Sequence, residues 1–301
     1  MAAATLNFGD DNSVDRAIDS DVQGLSSLPC CAGIDEAGRG PVLGPMVYCL
    51  CYCPTRSLEG LKKLGFADSK QLTEEKRDRL FEIMQANEDF IGWNTKILSP
   101  NTISNAMLRR SKYNLNALSH DTAIDLVRTA VSKGVNITEL YVDTVGPADK
   151  YQKKLSDLFP GIQVTVSQKA DSKFSIVSAA SICAKVTRDE ALRRWRFSEG
   201  LSDDDFGSGY PSDPKTKSWL SKSTDPVFGF PQLVRFSWST CEKIMERNCV
   251  PVHWDDDDDE ADVGYSKGTA KLVDYFGAKS IEKSKRHRFF KESHLTSLNQ
   301  I

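Results

Sequence analysis

The sequence predicts an α/β fold, and three observations predict it. Apolar runs of strand length alternate with segments whose apolar residues recur at helical spacing. The first two runs, residues 31–34 and 42–53, are joined by a link short enough for a tight hairpin. Acidic residues then close apolar runs abruptly, Asp35 after Ile34 and Asp143 after Val142. Parallel-type sheets carry their functional groups at such strand ends.

The stretch from Ile34 through Asp35, Glu36, Ala37, Gly38, Arg39 and Gly40 to Pro41 organises the rest. Gly38 and Gly40 allow a close backbone approach and positive φ, and Arg39 between them offers a planar fork of donors for phosphate or sugar oxygens. Neighbours on a regular strand point to opposite faces, so Asp35 and Glu36 share a site only if the strand loses its regularity there. Taken alone, the pair is equally readable as turn residues with a local ion pair.

The 301 residues can bury one large core, or one core and a smaller lobe. A composition of 40% hydrophobic and 27% charged residues is that of a soluble globular chain, and no apolar run approaches the roughly 18 residues of a bilayer span. Residues 1–29 are polar, lack the apolar core of a signal peptide and are expected to be a loose, flexible leader. A net charge of −3 decides nothing about nucleic acid, because a basic face can coexist with an acidic tail. Cys49, Cys51 and Cys53 alternate along one strand and share a face, a poor tetrahedral zinc site; they read as small buried hydrophobes.

The chain then runs in order. Thr73 caps a helix over 73–86 with Leu80, Phe81, Ile83 and Met84 as its apolar stripe. Residues 90–98 read as a strand, and Ser99 caps a short helix to residue 110. Asn114 opens a long helix to residue 133, within which His120 is a packed or solvent-facing residue. The strand ending in Asp143 comes next, then a helix over 150–158 and a strand over 161–166.

Asp171 precedes a helical block over 174–195, where it could serve simply as an N-cap. The far half of that helix is basic and includes Lys185 and Arg188, which favours a phosphate-facing edge. Tyr210 stands in a glycine- and proline-rich loop over 207–214, suited to packing flat on a sugar or base. Residues 228–238 are apolar and aromatic and are expected to dock the end of a domain spanning 30–249. Residues 250–301 form a linker and tail: an acidic run over 255–259, an apolar island over 269–276 and a basic patch over 283–291.

If Asp35, Glu36, Asp143 and Asp171 meet, each unscreened pair about 4 Å apart repels by roughly 4 kcal/mol at an effective dielectric near 20. Divalent cations remove that conflict, and all-oxygen donors favour Mg²⁺ or Mn²⁺ over zinc. Two such ions roughly 3.5–4 Å apart stabilise both oxygens of an in-line phosphoryl displacement. Other chemistries fit worse: no Walker-type phosphate loop is present, and strand residues follow the glycines where a dinucleotide site needs a helix. A metal-free ribonuclease with paired histidines is disfavoured, since three of the four histidines lie in or beside the tail.

Residues 35–41, Asp68-Ser69-Lys70, Asp143, Lys169-Ala170-Asp171 and Gly209-Tyr210-Pro211 together resemble the type 2 ribonucleases H over about residues 30–245. Phe228-Gly229-Phe230-Pro231 and the long tail are similar to the large catalytic subunit of the eukaryotic branch. The resemblance implies a ribonuclease H-like mixed central sheet flanked by helices, with a C-terminal helical extension. It implies Mg²⁺-dependent cleavage, with Mn²⁺ as substitute and two ions bound, of RNA in RNA–DNA hybrids and 5′ of single ribonucleotides in duplex DNA.

Carried over, Asp35, Glu36, Asp143 and Asp171 would be the metal ligands, Gly38, Arg39 and Gly40 would sense the 2′-hydroxyl, and Tyr210 would stack on the deoxyribose beyond the scissile phosphate. Lys70, Lys185 and Arg188 are candidate phosphate contacts. The likeness also implies a nuclear heterotrimer with two accessory subunits, B and C, and no membrane. Leu272, Tyr275 and Phe276 have the spacing of a sliding-clamp-binding box, although Thr269 replaces its usual glutamine. A hybrid-binding component without turnover and a DNA nuclease of the same fold are the competing readings.

Overall fold

The computed structural model describes residues 13–20, 28–66, 72–87, 90–109, 111, 113–201 and 205–251. Six strands form one sheet: β1 (Arg16–Asp19), β2 (Cys30–Ala37), β3 (Met46–Pro54), β4 (Gly92–Leu98), β5 (Ile137–Asp143) and β6 (Gln163–Ser167). Their order is β1-β4-β3-β2-β5-β6. The first four in that order pair antiparallel, whereas β2, β5 and β6 pair parallel, so the sheet is mixed as the resemblance implies.

Helices α1 (Leu58–Lys63), α2 (Glu74–Gln85), α3 (Pro100–Leu108), α4 (Leu115–Ser132), α5 (Ala148–Leu158), α6 (Ala170–Lys173) and α7 (Ser175–Arg193) connect and cover the strands. Helices α8 (Pro214–Lys222) and α9 (Ser239–Asn248) form the C-terminal helical part. The predicted caps are made: the side chains of Thr73, Ser99 and Asn114 accept from the amides of Lys76, Thr102 and Ala117.

Side-chain alternation along β2 sorts the core into two layers. Cys31 and Ala37 face α7, together with Cys49, Cys51, Cys53 and Cys183, all buried and free, as expected of packed thiols. Cys30, Ala32 and Ile34 face α4 with Tyr48, Leu126 and Val127. Gly33 sets how closely α7 can lie on the sheet, since a Cβ there would stand 2.6 Å from the Ile176 carbonyl carbon and the Val177 nitrogen. A third cluster joins Val42 and Leu43 to Trp219, Leu220, Phe230, Leu233 and Val234, docking the C-terminal helices beneath the β2–β3 link.

Several expectations are corrected. Residues 1–29 are not uniformly a loose leader, because Arg16–Asp19 pairs along Ile97–Asn94 as an edge strand. The β2–β3 link is longer than a tight hairpin: β3 begins at Met46, and Val42 and Leu43 bond instead to Gly209 across the link. Strand β2 does not break at Asp35, and its register with β3 continues through Asp35↔Cys49, Glu36↔Tyr48 and Ala37↔Val47. Asp171 does not cap the long helix; it is the second residue of the short α6, and Phe174 precedes α7. In 228–238 Phe230, Leu233 and Val234 dock, whereas Phe228 is 86% exposed. Chain contacts divide the molecule into Met1–Cys249 and Val250–Ile301.

Candidate active site

Strand β2 delivers Asp35 and its parallel neighbour β5 delivers Asp143. Ile34 is in register with Val142, so the two carboxylates follow at the same level on adjacent strands. Asp35 is buried, accepts from the Glu36 amide at 2.7 Å, and is reached by the Ser181 hydroxyl of α7. Ser181 in turn accepts from Lys185 Nζ at 3.0 Å. Burial pushes the Asp35 carboxyl up to about 7; the Asp143 charge adds to the rise, while Ser181, the Glu36 amide and Lys185 oppose it.

Asp143 Oδ1 accepts from the Ala170 amide at 2.9 Å, which ties the start of α6 to the end of β5. Lys169, just before it, is the one non-glycine residue with positive φ (54°) among the described residues. That turn puts the buried Asp171 next to the amide holding Asp143. Asp35, Asp143 and Asp171 thus gather at one end of the sheet.

Glu36 does not join them on the same face. With β2 regular, alternation sends it to the α4 side, where its charge acts on Tyr48 and Tyr151. Among the described residues no group of three or more His, Cys, Asp or Glu side chains is closed tightly enough to hold a metal ion. The chemistry of the donors nonetheless fits a hard divalent cation: the groups at this end of the sheet are carboxylates, and Asp35 is buried beside a second negative charge that a cation would offset.

The glycine loop beyond β2 is held from behind. Gly38 has φ 77°, and a Cβ there would run into Arg188 and the Pro45 carbonyl. The Arg235 guanidinium, fully buried, donates to the carbonyls of Gly38 (2.6 Å), Arg39 (3.2 Å) and Gly44 (2.8 Å). Trp238 Nε1 donates to the Gly40 carbonyl at 3.2 Å. In a trans peptide the N–H points opposite to the preceding carbonyl. Drawing the Gly38 and Arg39 carbonyls onto Arg235 therefore turns the amides of Arg39 and Gly40 the other way. Burial lowers the Arg235 pKa to about 9, so it remains a cation at neutral pH.

Tyr210 is 49% exposed and lies over Gly40, where a Cβ would stand 3.2 Å from its ring. Its loop is anchored twice: the Gly209 carbonyl accepts from the Val42 amide at 2.8 Å, and the Gly209 amide donates to Thr216 Oγ1 at 3.0 Å.

With this geometry in view, likeness to known proteins decides the family. The family described as Ribonuclease HII matches residues 32–241. The chain belongs to the ribonuclease HII family. The A subunit of ribonuclease H2 from Bos taurus is 55% identical over 273 residues, covering 89% of this chain and 90% of that protein. The ribonuclease H2 of Pyrococcus horikoshii OT3 is 35% identical with a TM-score of 0.61, covering 72% of this chain and 98% of that one. The Archaeoglobus fulgidus ribonuclease HII, solved in complex with PCNA, is 30% identical with a TM-score of 0.59, covering 75% of this chain and 98% of that one. This member of the family is an endonuclease of the ribonuclease H type, related to the large catalytic subunit of ribonuclease H2.

The ribonuclease HII site differs from the sequence reading in its cations. Lys185 stands beside Asp35 and Ser181. Arg188 is instead a brace within the protein, donating to the Pro45 carbonyl at 3.3 Å and the Leu43 carbonyl at 3.4 Å. Those carbonyls lie in the β2–β3 link, which no residue pattern places against α7, and they orient Arg188 away from a phosphate role. Arg39 reaches back to Ser119, Asn116 and the Leu115 carbonyl at the start of α4. Lys70 lies outside the described residues, as do Leu272, Tyr275, Phe276 and the acidic and basic runs of the tail.

Sequence reasoning missed Arg235 and Ser181. The signal for Arg235 was present: a cation inside the apolar run Leu233-Val234-Arg235-Phe236 is tolerated in a core only with partners. Ser181 carried none, because the helix is rich in Ser and Ala throughout.

Proposed function

We propose that this ribonuclease HII family member is a Mg²⁺-dependent endonuclease that cleaves RNA in RNA–DNA hybrids and nicks duplex DNA 5′ of a single ribonucleotide. The products are 3′-hydroxyl and 5′-phosphate ends, and water, not the 2′-hydroxyl, is the nucleophile. The observation that carries the reading is the level placement of Asp35 and Asp143 on adjacent parallel strands, beside a loop whose outward amides lie under Tyr210.

Asp35, Asp143 and Asp171 would hold two divalent cations, Mg²⁺ or Mn²⁺ in its place, with Glu36 completing the set from around the end of β2. Bound cations supply charge neutralisation to both the attacking and the leaving oxygen of an in-line displacement. Ser181, held by Lys185, orients the Asp35 carboxylate, and the Ala170 amide orients that of Asp143. The 2′-hydroxyl is the local group that separates RNA from DNA, and the Arg39 and Gly40 amides are the donors turned to meet it. A Tyr210 ring packed on the next sugar has no room for a 2′-hydroxyl there, so the loop and the ring together read an RNA-to-DNA junction.

The chain would work in the nucleus with two accessory subunits, B and C, a reading supported by its likeness to a protein named as one lettered component of ribonuclease H2. Val227 and Phe228, 71% and 86% exposed on a turn pinned by Asp225, are apolar groups that such a partner would cover. A sliding-clamp contact through Leu272, Tyr275 and Phe276 is supported by the family member solved with PCNA. With Mg²⁺, a DNA duplex carrying one ribonucleotide should be nicked while an all-DNA duplex stays whole. Asp35→Asn should lower nicking by more than about 100-fold, because even partners behind metal ligands are worth about 10–100-fold. Equal cutting of the all-DNA duplex would remove the junction-reading role of Gly38 to Gly40 and Tyr210.

A further inference from the structure

Glu36 and Tyr48 are cross-strand partners in the β2–β3 register, so their side chains rise from the same face of the sheet. Tyr48 is 1% exposed, and its hydroxyl makes no hydrogen bond of ordinary geometry among the described residues. Buried polar groups in native proteins are paired in the large majority of cases, so a bare hydroxyl here calls for a reason. Packing does not supply one, since a phenylalanine would fill the same space beside Tyr151 and Leu118.

The surroundings point to a donor kept in reserve. The hydroxyl lies beside Ser119, which accepts from Arg39, and within the fields of Glu36, Arg39 and Tyr151. Burial first, and the Glu36 charge second, hold its pKa well above the ordinary value, so the proton stays on the oxygen. A neutral, immobile O–H next to a carboxylate is the arrangement that fixes a metal-binding carboxylate from behind, leaving its other oxygen for the cation.

We propose that Tyr48 is a positioning residue for Glu36, its hydroxyl donating to one carboxylate oxygen so that the other is presented at the substrate end of β2. This rests on the reading of Glu36 as a cation ligand. It explains how a residue sent to the α4 face by strand alternation takes part in a site built on the opposite face. It also joins Glu36 through Tyr48 and Ser119 to Arg39, so that ribose sensing and the fourth carboxylate share one polar network.

Tyr48→Phe in the full chain, in its active assembly, tests this. The expected result is a fall in kcat of about tenfold or more, with KM unchanged. The thermal midpoint should hold or rise, because removing an unpaired buried hydroxyl removes a desolvation penalty. Mn²⁺ affinity measured by calorimetry should weaken in Tyr48→Phe but weaken no further when Tyr48→Phe is added to Glu36→Gln. Turnover and Mn²⁺ affinity within twofold of the parent overturn the proposal, as does a loss of activity that merely follows a lowered thermal midpoint. Glu36→Gln with undiminished Mn²⁺ affinity overturns the ligand reading and the proposal together. A weakened Glu36→Gln beside a normal Tyr48→Phe overturns the proposal alone.

Discussion

Arg235 heads the largest fully buried side chains among the described residues, and three backbone carbonyls occupy its fork. The fork matters more than the charge. Lysine carries the same charge as a single point and cannot span the carbonyls of Gly38, Arg39 and Gly44 at once. Arg235→Lys should therefore leave at least one buried carbonyl unmet, at about 1–3 kcal/mol for each, and urea unfolding should show the loss. The loop's amides would also lose their fixed direction, so the preference for a ribonucleotide-containing duplex over all-DNA should narrow. A variant with the parent's midpoint and the parent's preference would show that the loop holds its shape without this buttress. The residue was illegible in the sequence for a physical reason: its partners are carbonyls more than 190 positions away, and a backbone carbonyl leaves no mark in residue type. Asp35 and Asp143 were legible because each ends an apolar run, a local signal.

Among elements, the loop carrying Tyr210 shows how a helix start can shape a site. Asp213 caps α8, accepting from the Lys215 amide at 2.9 Å, and also takes the Ser208 amide and hydroxyl, each at 2.7 Å. These donors depress its pKa to about 2. An acid whose folded pKa lies below its ordinary value, near 3.9, contributes while ionised. That contribution is whole above about pH 4 and disappears as the pH falls toward 2. The Tyr210 ring resonances should thus shift over that interval in the parent and not in Asp213→Ala. At neutral pH Asp213→Ala should raise KM severalfold with kcat little changed, since Tyr210 meets substrate and leaves the carboxylates untouched; an unaltered KM would separate the cap from the ring's placement. Legibility at this scale follows locality again. Helices α2, α3 and α4 were readable from Thr73, Ser99 and Asn114, caps lying beside what they cap. Strand β1 was not, because Arg16, Ala17, Ile18 and Asp19 have no strand pattern of their own and gain one only against residues 94–97.

For the whole molecule, the question is which part of the chain makes the fold. All three buried clusters are drawn from residues between Cys30 and Cys241, and the ribonuclease HII match ends at residue 241. Chain contacts separate Met1–Cys249 from Val250–Ile301. A unit that contains its whole hydrophobic core gains its stability within itself. Truncation after Cys249 should accordingly leave the thermal midpoint within about 2 °C of the full chain, since about 1 kcal/mol moves a domain of this size by roughly 2–4 °C. The same truncation removes Leu272, Tyr275, Phe276 and the basic run over 283–291. If those segments serve a clamp or the nucleus, clamp binding and import should disappear while nicking by the purified assembly persists. A midpoint lowered by more than about 5 °C would instead mean that residues beyond Cys249 cover part of the core. Calorimetry on the two chains, followed by the same nicking assay, distinguishes a tail that addresses the enzyme from one that helps to build it.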